Sequence, residues 1–212
     1  MPSSPAIWTL YGPPGSGKSH LILNMLLSSK WYRNAWDQLI FMSPTAAGDD
    51  IMKPLIGMDP ELVRFYPKYV PEVLQKIVDE RAPKTREDGS IDFSSAIPTS
   101  DLPRLWIVID DLCTEVGKGG PRNEAVRLCT MFRHCNCSLI FTSQSMTLLT
   151  NHIRRCASVS VNWRSYDERE VEFAAKENSG FPGWKEKYLK ATEKKHGFLV
   201  TDHRKRKLWS AS

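Results

Sequence analysis

The chain has 212 residues, of which 41% are hydrophobic and 25% are charged, a balance typical of one globular α/β domain. No uninterrupted apolar run approaches the ~20 residues that a membrane helix requires, and no secretory signal is visible at the start. The five cysteines are odd in number, which argues against a disulfide framework.

The net charge of +5 is concentrated near the end of the chain. Residues 185–207 contain nine Lys and Arg against three Asp and Glu, and the other 20 basic and 21 acidic residues nearly cancel. A basic block on a neutral body predicts contact with a polyanion, and a solvated basic surface is the alternative interpretation.

Residues 12–19 match G-x-x-x-x-G-K-[ST], the phosphate-binding loop of nucleoside triphosphatases. An apolar run predicts a buried strand at 6–11, and helical spacing of apolar residues predicts a helix over 20–29. Lys18 is expected to reach the β- and γ-phosphates of ATP, and the Ser19 hydroxyl to hold Mg²⁺. The predicted nucleotide-binding residues are Gly12, Pro13, Pro14, Gly15, Ser16, Gly17, Lys18 and Ser19.

The following segments predict fewer elements. A second strand is expected at Gln38–Met42, and Pro71 is expected to open a helix that ends at about Arg81. The pattern of residues 51–69 is mixed and predicts no element. Residues 83–103 are rich in Pro, Ser, Asp and Lys, which predicts a flexible surface excursion.

Five consecutive apolar residues at 105–109 predict a central strand of a parallel sheet, and two carboxylates follow it. Ligands of open α/β sheets bind at the carboxyl ends of the strands, so Asp110 is expected to face the Mg²⁺ held by Ser19. Asp111 is expected to orient or deprotonate the attacking water, and Glu115 is the alternative for that role.

A helix is predicted to open at Pro121, with Arg127 and Arg133 on it or at its end, and a strand is predicted over 138–144. Gln144 suits a residue that senses the γ-phosphate or its attacking water, because an amide both donates and accepts hydrogen bonds. Later elements are a helix or turn at 146–156, a strand at 157–163, helices at 166–176 and 182–195, and a closing hairpin at 197–209. Residues 182–212 therefore form a basic helix and hairpin at the end of one domain spanning 1–212.

This succession of motifs resembles the DNA-packaging ATPases of double-stranded DNA viruses, in the HerA/FtsK branch of P-loop ATPases. That family includes the packaging ATPases of poxviruses, of other large nucleocytoplasmic DNA viruses and of membrane-containing icosahedral viruses. The resemblance covers most of the chain outside 51–103 and 166–195, and its most discriminating part runs from Arg133-His134 to Ser143-Gln144-Ser145. The other matching segments are 12–19, 40–45, 108–111, 153–155 and 198–202.

The resemblance implies a RecA-like P-loop fold with a mostly parallel central sheet flanked by helices. It also implies ATP hydrolysis with Mg²⁺, a homo-oligomeric ring (a pentamer or hexamer), and double-stranded DNA threaded through that ring. The implied setting is the infected host cell, at a viral capsid vertex and in association with the virion, without insertion into a membrane. One departure from the family is Asp111, where many relatives carry Glu.

The family further implies an arginine supplied to the site across the subunit interface. By position this role falls to Arg133, with Arg127 and Arg155 as alternates. A guanidinium placed against the γ-phosphate stabilises the charge of the transition state.

Two other functions remain open from the sequence. The Gly12-Pro13-Pro14 segment also resembles the loop of AAA+ proteins, so an AAA+-type DNA helicase or helicase loader, with a C-terminal helical lid, is an alternative. A P-loop small-molecule kinase is the third hypothesis, and it requires an acceptor pocket and an arginine-rich lid.

Overall fold

The computed structural model describes residues 3–88, 90–118 and 123–211. The strands in these ranges are β1 (Ile7–Tyr11), β2 (Gln38–Met42), β3 (Val63–Tyr66), β4 (Lys84–Thr85), β5 (Ile91–Asp92), β6 (Leu105–Ile109), β7 (Cys137–Ser143), β8 (Val159–Trp163), β9 (Phe198–Asp202) and β10 (Lys207–Ala211). The helices are α1 (Lys18–Leu27), α2 (Lys53–Ile56), α3 (Pro71–Arg81), α4 (Cys113–Lys118), α5 (Glu124–Met131), α6 (Asn151–Cys156), α7 (Glu168–Glu177) and α8 (Trp184–Ala191). None of the helices in the described part of the chain is long and apolar enough to cross a membrane.

Eight of the described strands form one sheet in the order β10-β9-β8-β1-β7-β6-β2-β3. The pairs from β8 to β3 are parallel, whereas β9 pairs antiparallel with both β8 and β10. The predicted α/β fold, a mostly parallel sheet with a C-terminal hairpin, is therefore confirmed. The hairpin does not stand apart, because β9 joins the sheet beside β8.

Both faces of the sheet are covered, which explains the uninterrupted apolar runs of its central strands. In β6, Ile107 and Ile109 belong to the core that lies under α3 to α8. The alternate residues Trp106 and Val108 belong to the core under α1 and α2. Alternation along one strand thus supplies both hydrophobic layers.

Two segments differ from the sequence-based expectation. β3 lies within residues 51–69, where no element was predicted, and Val63 alone of its four residues is buried. An edge strand needs little apolar surface, since it has one neighbour and packs against few side chains. In residues 83–103 the structure contains the β4–β5 pair and a 3-10 turn with mostly exposed side chains. Whether this excursion is flexible stays a prediction.

The helix predicted to open at Pro121 begins at Glu124 in the described ranges, and Pro121 itself lies outside them. The side chain of Asn123 caps this helix, since its Oδ1 accepts a hydrogen bond from the amide of Ala125 at 2.8 Å. In the described ranges, the N-terminus of α5 is therefore marked by the capping residue Asn123.

The register of the strands determines which chain segments meet at the carboxyl edge of the sheet. Tyr11 at the end of β1 is opposite Ser143, and Ile109 at the end of β6 is opposite Phe141 on the same strand. The loop after β1 and the carboxylates after β6 therefore reach the same edge.

Candidate nucleotide-binding site

The loop between β1 and α1 turns over the carboxyl edge of the sheet. Gly15 and Gly17 have φ values of 72° and 108°, a left-handed conformation that favours glycine. A Cβ on Gly12 would lie 2.8 Å from Trp163 Cβ, so only glycine fits there without a shift of the neighbouring atoms. The Gly12 amide also donates to the Ser143 carbonyl at 3.1 Å, which ties the loop to β7.

Lys18 begins α1, and its side chain folds back into the loop. Its Nζ donates to the carbonyl oxygens of Gly12 at 2.6 Å and Pro13 at 3.2 Å. Burial lowers the pKa of Lys18, while the negative charges of Asp111 and Asp110 act in the opposite direction. An ammonium group has three N–H donors, so one remains for a phosphate oxygen at the positive end of α1.

Asp110 is held by two hydroxyl groups from neighbouring strand ends. Its Oδ2 accepts from Ser43 Oγ at 2.8 Å, and its Oδ1 accepts from Thr142 Oγ1 at 2.6 Å. Burial raises the pKa of Asp110, and these two hydrogen bonds partly oppose that effect. Each carboxylate oxygen keeps further acceptor capacity for water or a cation.

Asp111 is exposed and has a φ of 51°, a left-handed conformation that Asp tolerates better than most residues. Its amide donates to Thr142 Oγ1 at 2.9 Å, so the same hydroxyl holds the side chain of Asp110 and the backbone of Asp111. The alternative residue, Glu115, does not line the cavity, and its Oε2 accepts from Thr114 Oγ1 at 2.9 Å. The structure therefore brings Asp111, and not Glu115, to the loop.

A cavity of about 940 Å³ lies above the loop, and Lys18, Ser19, Asp110 and Asp111 line it together. Ser19 and Asp110 offer hard oxygen donors, which suit Mg²⁺. In the described ranges, no group of three or more His, Cys, Asp and Glu side chains is arranged to hold a metal ion. Mg²⁺ keeps several waters and binds proteins through few carboxylates plus substrate phosphates, so this donor set fits it.

Gln144 follows β7 at the same edge, but its exposed side chain is not among those that line the cavity. The turn after it is held by Glu170 of α7, which accepts from Ser145 Oγ at 2.6 Å and from Thr147 Oγ1 at 2.9 Å. The sensing role of Gln144 stays a prediction.

The three candidate arginines lie away from the cavity of their own chain. Arg133 precedes β7, and the length of that strand places it about 20 Å from the loop at the usual ~3.3 Å rise per residue. Arg155 is exposed in α6, which leads to the start of β8 at the same far edge. Arg127 donates to Gln75 Oε1 on α3 at 2.9 Å. An arginine delivered to a neighbouring subunit is compatible with these positions, and its identity stays a prediction.

Sequence reasoning assigned no role to Ser43 and Thr142, or to the side chains on the far side of the loop. Trp163, His196 and Phe198 line that part of the cavity. The polar residues that follow the apolar strand residues were a sequence signal for the hydroxyls of Ser43 and Thr142. No local sequence pattern indicated Trp163, His196 or Phe198.

The fold and the loop together are those of RecA-like P-loop proteins. No protein-family model matches the sequence, and no curated protein matches it. One similar solved structure is that of the genome packaging NTPase B204 from Sulfolobus turreted icosahedral virus 2 in complex with ATP-gammaS. The TM-score is 0.67 and the sequence identity is 16%, and the match covers 99% of this chain and 98% of that chain.

Two further solved structures are similar. The DNA-packaging ATPase B204 from Sulfolobus Turreted Icosahedral Virus has a TM-score of 0.67 and 14% identity over 98% of this chain and 97% of that chain. The pCW3 conjugation coupling protein TcpA, in its monomer form with ATPgS, has a TM-score of 0.58 and 17% identity over 92% of this chain and 57% of that chain. At these identities the likeness shows the fold, and the RecA-like fold predicted from the sequence is confirmed.

Proposed function

We propose that the chain is an ATP-hydrolysing motor that moves double-stranded DNA into a viral capsid. The observation that carries the proposal is the meeting of Lys18, Asp110 and Asp111 at one cavity, in a fold shared over nearly its full length with a protein described as a DNA-packaging ATPase. The proposed setting is the capsid vertex in an infected cell. An AAA+ helicase or loader would carry a helical lid where this chain adds β9 and β10 to the sheet.

In the proposed reaction, the amides of the loop and Lys18 bind the β- and γ-phosphates of ATP. Ser19 and Asp110 would hold Mg²⁺, which when bound neutralises charge on the phosphates. Asp111 accepts a hydrogen bond from the attacking water and orients it toward the γ-phosphate. An arginine of a neighbouring subunit completes the site, and this requirement couples hydrolysis to ring assembly.

The proposed contact with DNA is electrostatic and lies on α8, on the segment between α8 and β9, and at the β9–β10 turn. α8 buries Trp184 and Tyr188, whose rings stack at 5.0 Å, and this leaves its lysines on the outer face. Contacts of this kind bind phosphates without reading bases, which suits a motor that must accept every sequence. The exposed basic residues are Lys187, Lys190, Lys194, Lys195, Lys205, Arg206 and Lys207.

ATP hydrolysis by the assembled protein is the first test. Lys18→Ala should lower kcat by roughly a hundredfold or more, as expected when one donor that stabilises the developing charge is lost. Lys76→Ala is the matched control, because Lys76 is an exposed lysine on α3 outside the cavity, and this variant should hydrolyse ATP like the parent. Equal rates for Lys18→Ala and the parent would refute the proposal.

Ring assembly and DNA coupling require a second measurement. Turnover per subunit should rise with protein concentration and with added double-stranded DNA of any sequence. The DNA effect should weaken steeply as salt is raised, because bound cations are released from the phosphates. A rate independent of both concentration and DNA would exclude a ring-forming DNA motor while leaving a simple ATPase in place.

Mixed assemblies identify the arginine. Lys18→Ala subunits keep every arginine, and Arg133→Ala subunits keep an intact phosphate loop. If Arg133 acts on the neighbour, mixing the two inactive variants should restore activity at interfaces that pair one intact loop with one intact arginine. The same mixing with Arg127→Ala or Arg155→Ala compares the two alternates, and no recovery with any of the three would reject the arginine assignment.

A further inference from the structure

The cavity above the phosphate-binding loop has an aromatic wall on the side away from the paired carboxylates. We use the name aromatic wall for Trp163, His196 and Phe198, which line the cavity there. Trp163 ends β8, and Phe198 begins the antiparallel β9 directly opposite it. Their ring centroids are 5.0 Å apart, so the two rings form one surface.

The aromatic wall contacts the loop itself. His196 Nδ1 lies 3.2 Å from the carbonyl oxygen of Ser16. A carbonyl oxygen only accepts, so the imidazole is the donor in this hydrogen bond. On the same side, Trp163 packs so closely on Gly12 that a Cβ there would lie 2.8 Å from Trp163 Cβ. The position of the wall relative to a bound phosphate chain is therefore set by direct contacts.

Trp163 has a hydrogen-bond donor that opens onto the cavity. The residue is only 4% exposed, but its Nε1 is not one of the fully buried side-chain atoms without a partner among the described residues, so this N–H is accessible from the cavity that the ring lines. The buried indoles of Trp36, Trp106 and Trp184 each donate to a protein oxygen, whereas the buried Nε1 of Trp8 has no partner. Trp163 Nε1 lies 3.9 Å from the position of a Cβ on Gly17, so this donor faces the turn of the loop. An indole N–H that is open to the cavity can donate to a ligand oxygen at this point in place of water.

The order of the strands decides which end of a nucleotide meets the wall. β7 and then β6, which leads to Asp110 and Asp111, lie on one side of β1, and β8 lies on the other. The γ-phosphate must face the carboxylates, because they supply the groups for Mg²⁺ and water. The ribose and base therefore leave the loop on the β8 side.

We propose that Trp163, His196 and Phe198 bind the nucleoside part of the nucleotide. A purine ring packs against Phe198 and His196, and Trp163 Nε1–H donates to an oxygen of the ribose or α-phosphate. This inference rests on the proposed ATP-dependent function. These three residues would make the nucleotide-binding site prefer a nucleoside triphosphate to a polyphosphate without a base or ribose.

The opposite end of the cavity provides a comparison. Trp31 lies there, 37% exposed, beyond the carboxyl end of α1. The ten residues of that helix separate its two ends by about 14 Å at the usual 1.5 Å rise per residue, so Trp31 and the loop lie toward opposite ends of α1. Trp31→Leu is therefore a matched control, since it removes an aromatic ring from the same cavity on the side that the proposal leaves empty.

The test is calorimetric titration of the full chain with MgATP and with magnesium tripolyphosphate, which has no base or ribose. Phe198→Leu should weaken MgATP binding roughly fivefold to tenfold, the worth of one aromatic contact. Tripolyphosphate affinity should stay within about twofold, as for an independent site. His196→Gly should also weaken MgATP binding, and its left-handed backbone, with a φ of 62°, suits glycine. This variant also loses the hydrogen bond to the Ser16 carbonyl of the loop, so the unchanged tripolyphosphate affinity is expected of Phe198→Leu alone.

The outcomes separate the two proposals. Unchanged MgATP affinity in both wall variants, or a loss in Trp31→Leu instead, would overturn the assignment of the wall while the ATPase proposal stands. A parent protein that binds tripolyphosphate as tightly as MgATP would overturn it as well. A parent that binds neither ligand would reject the nucleotide-dependent function and this inference together. Thermal unfolding of each variant confirms that a lost affinity is not a lost fold.

Discussion

Thr142→Val tests whether one buried hydroxyl holds both carboxylates of the site. The Thr142 side chain is inaccessible to solvent, and Val has nearly its shape without the hydroxyl. The change leaves Asp110 Oδ1 and the Asp111 amide each without a partner. A buried group left unsatisfied costs about 1–3 kcal/mol, so with two such groups the free energy of unfolding should fall by roughly 2–6 kcal/mol.

The same change should alter the titration of Asp110. Burial raises its pKa, and the Thr142 hydrogen bond lowers it, so removal of the hydroxyl raises the pKa further. A hydrogen bond to a charged group contributes roughly 1.5–3 kcal/mol, and one pKa unit corresponds to 1.36 kcal/mol. The acid limb of the pH profile of kcat/KM, which reports the free enzyme, should therefore move up by about one to two pH units.

The measurements are urea unfolding and ATP hydrolysis across a pH series. Thr142→Ser keeps the hydroxyl and should preserve the pH profile of the parent, although it loses a methyl group from the core. If Thr142→Val kept the parent's profile, or if Thr142→Ser shifted it equally, the hydroxyl would not be what holds the carboxylates.

Three other changes have defined outcomes. Gly12→Ala should destabilise the protein by about 1–3 kcal/mol and weaken nucleotide binding, because the added Cβ would overlap Trp163. Thermal unfolding measures the first effect and MgATP titration the second, and a variant that behaves like the parent would contradict the close contact. In the metal-free protein, the raised pKa of Asp110 contributes stability at acid pH, and this contribution is lost as the pH rises through that pKa. Asp110→Asn should therefore remove the fall in the free energy of unfolding between acid and neutral pH, which urea unfolding across that range measures. The Lys194→Ala, Lys195→Ala double variant should hydrolyse ATP without DNA at the rate of the parent. Its DNA affinity should depend less steeply on salt concentration, by the equivalent of roughly one phosphate contact per lysine removed, and an unchanged salt dependence would place the DNA elsewhere.

The local sequence pattern was sufficient to predict those features whose residues are consecutive in the chain. The phosphate-binding loop places its glycines, lysine and serine within eight positions, and the apolar run of β6 ends directly at Asp110. The bounds of β2 and α3 are also those expected, Gln38–Met42 and Pro71–Arg81. β3 was missed because an edge strand with one buried residue lacks the apolar run that marks the central strands.

The sequence by itself determined the P-loop class of the fold and the residues that meet phosphate, because those residues lie next to one another in the chain. Only the tertiary structure decided which side chains surround them. Asp110 receives its hydroxyls from Ser43 and Thr142, which are 67 and 32 positions away, and His196 reaches Ser16 across 180 positions. Such contacts depend on which strand lies beside which in the sheet, and neither periodicity nor composition encodes that order.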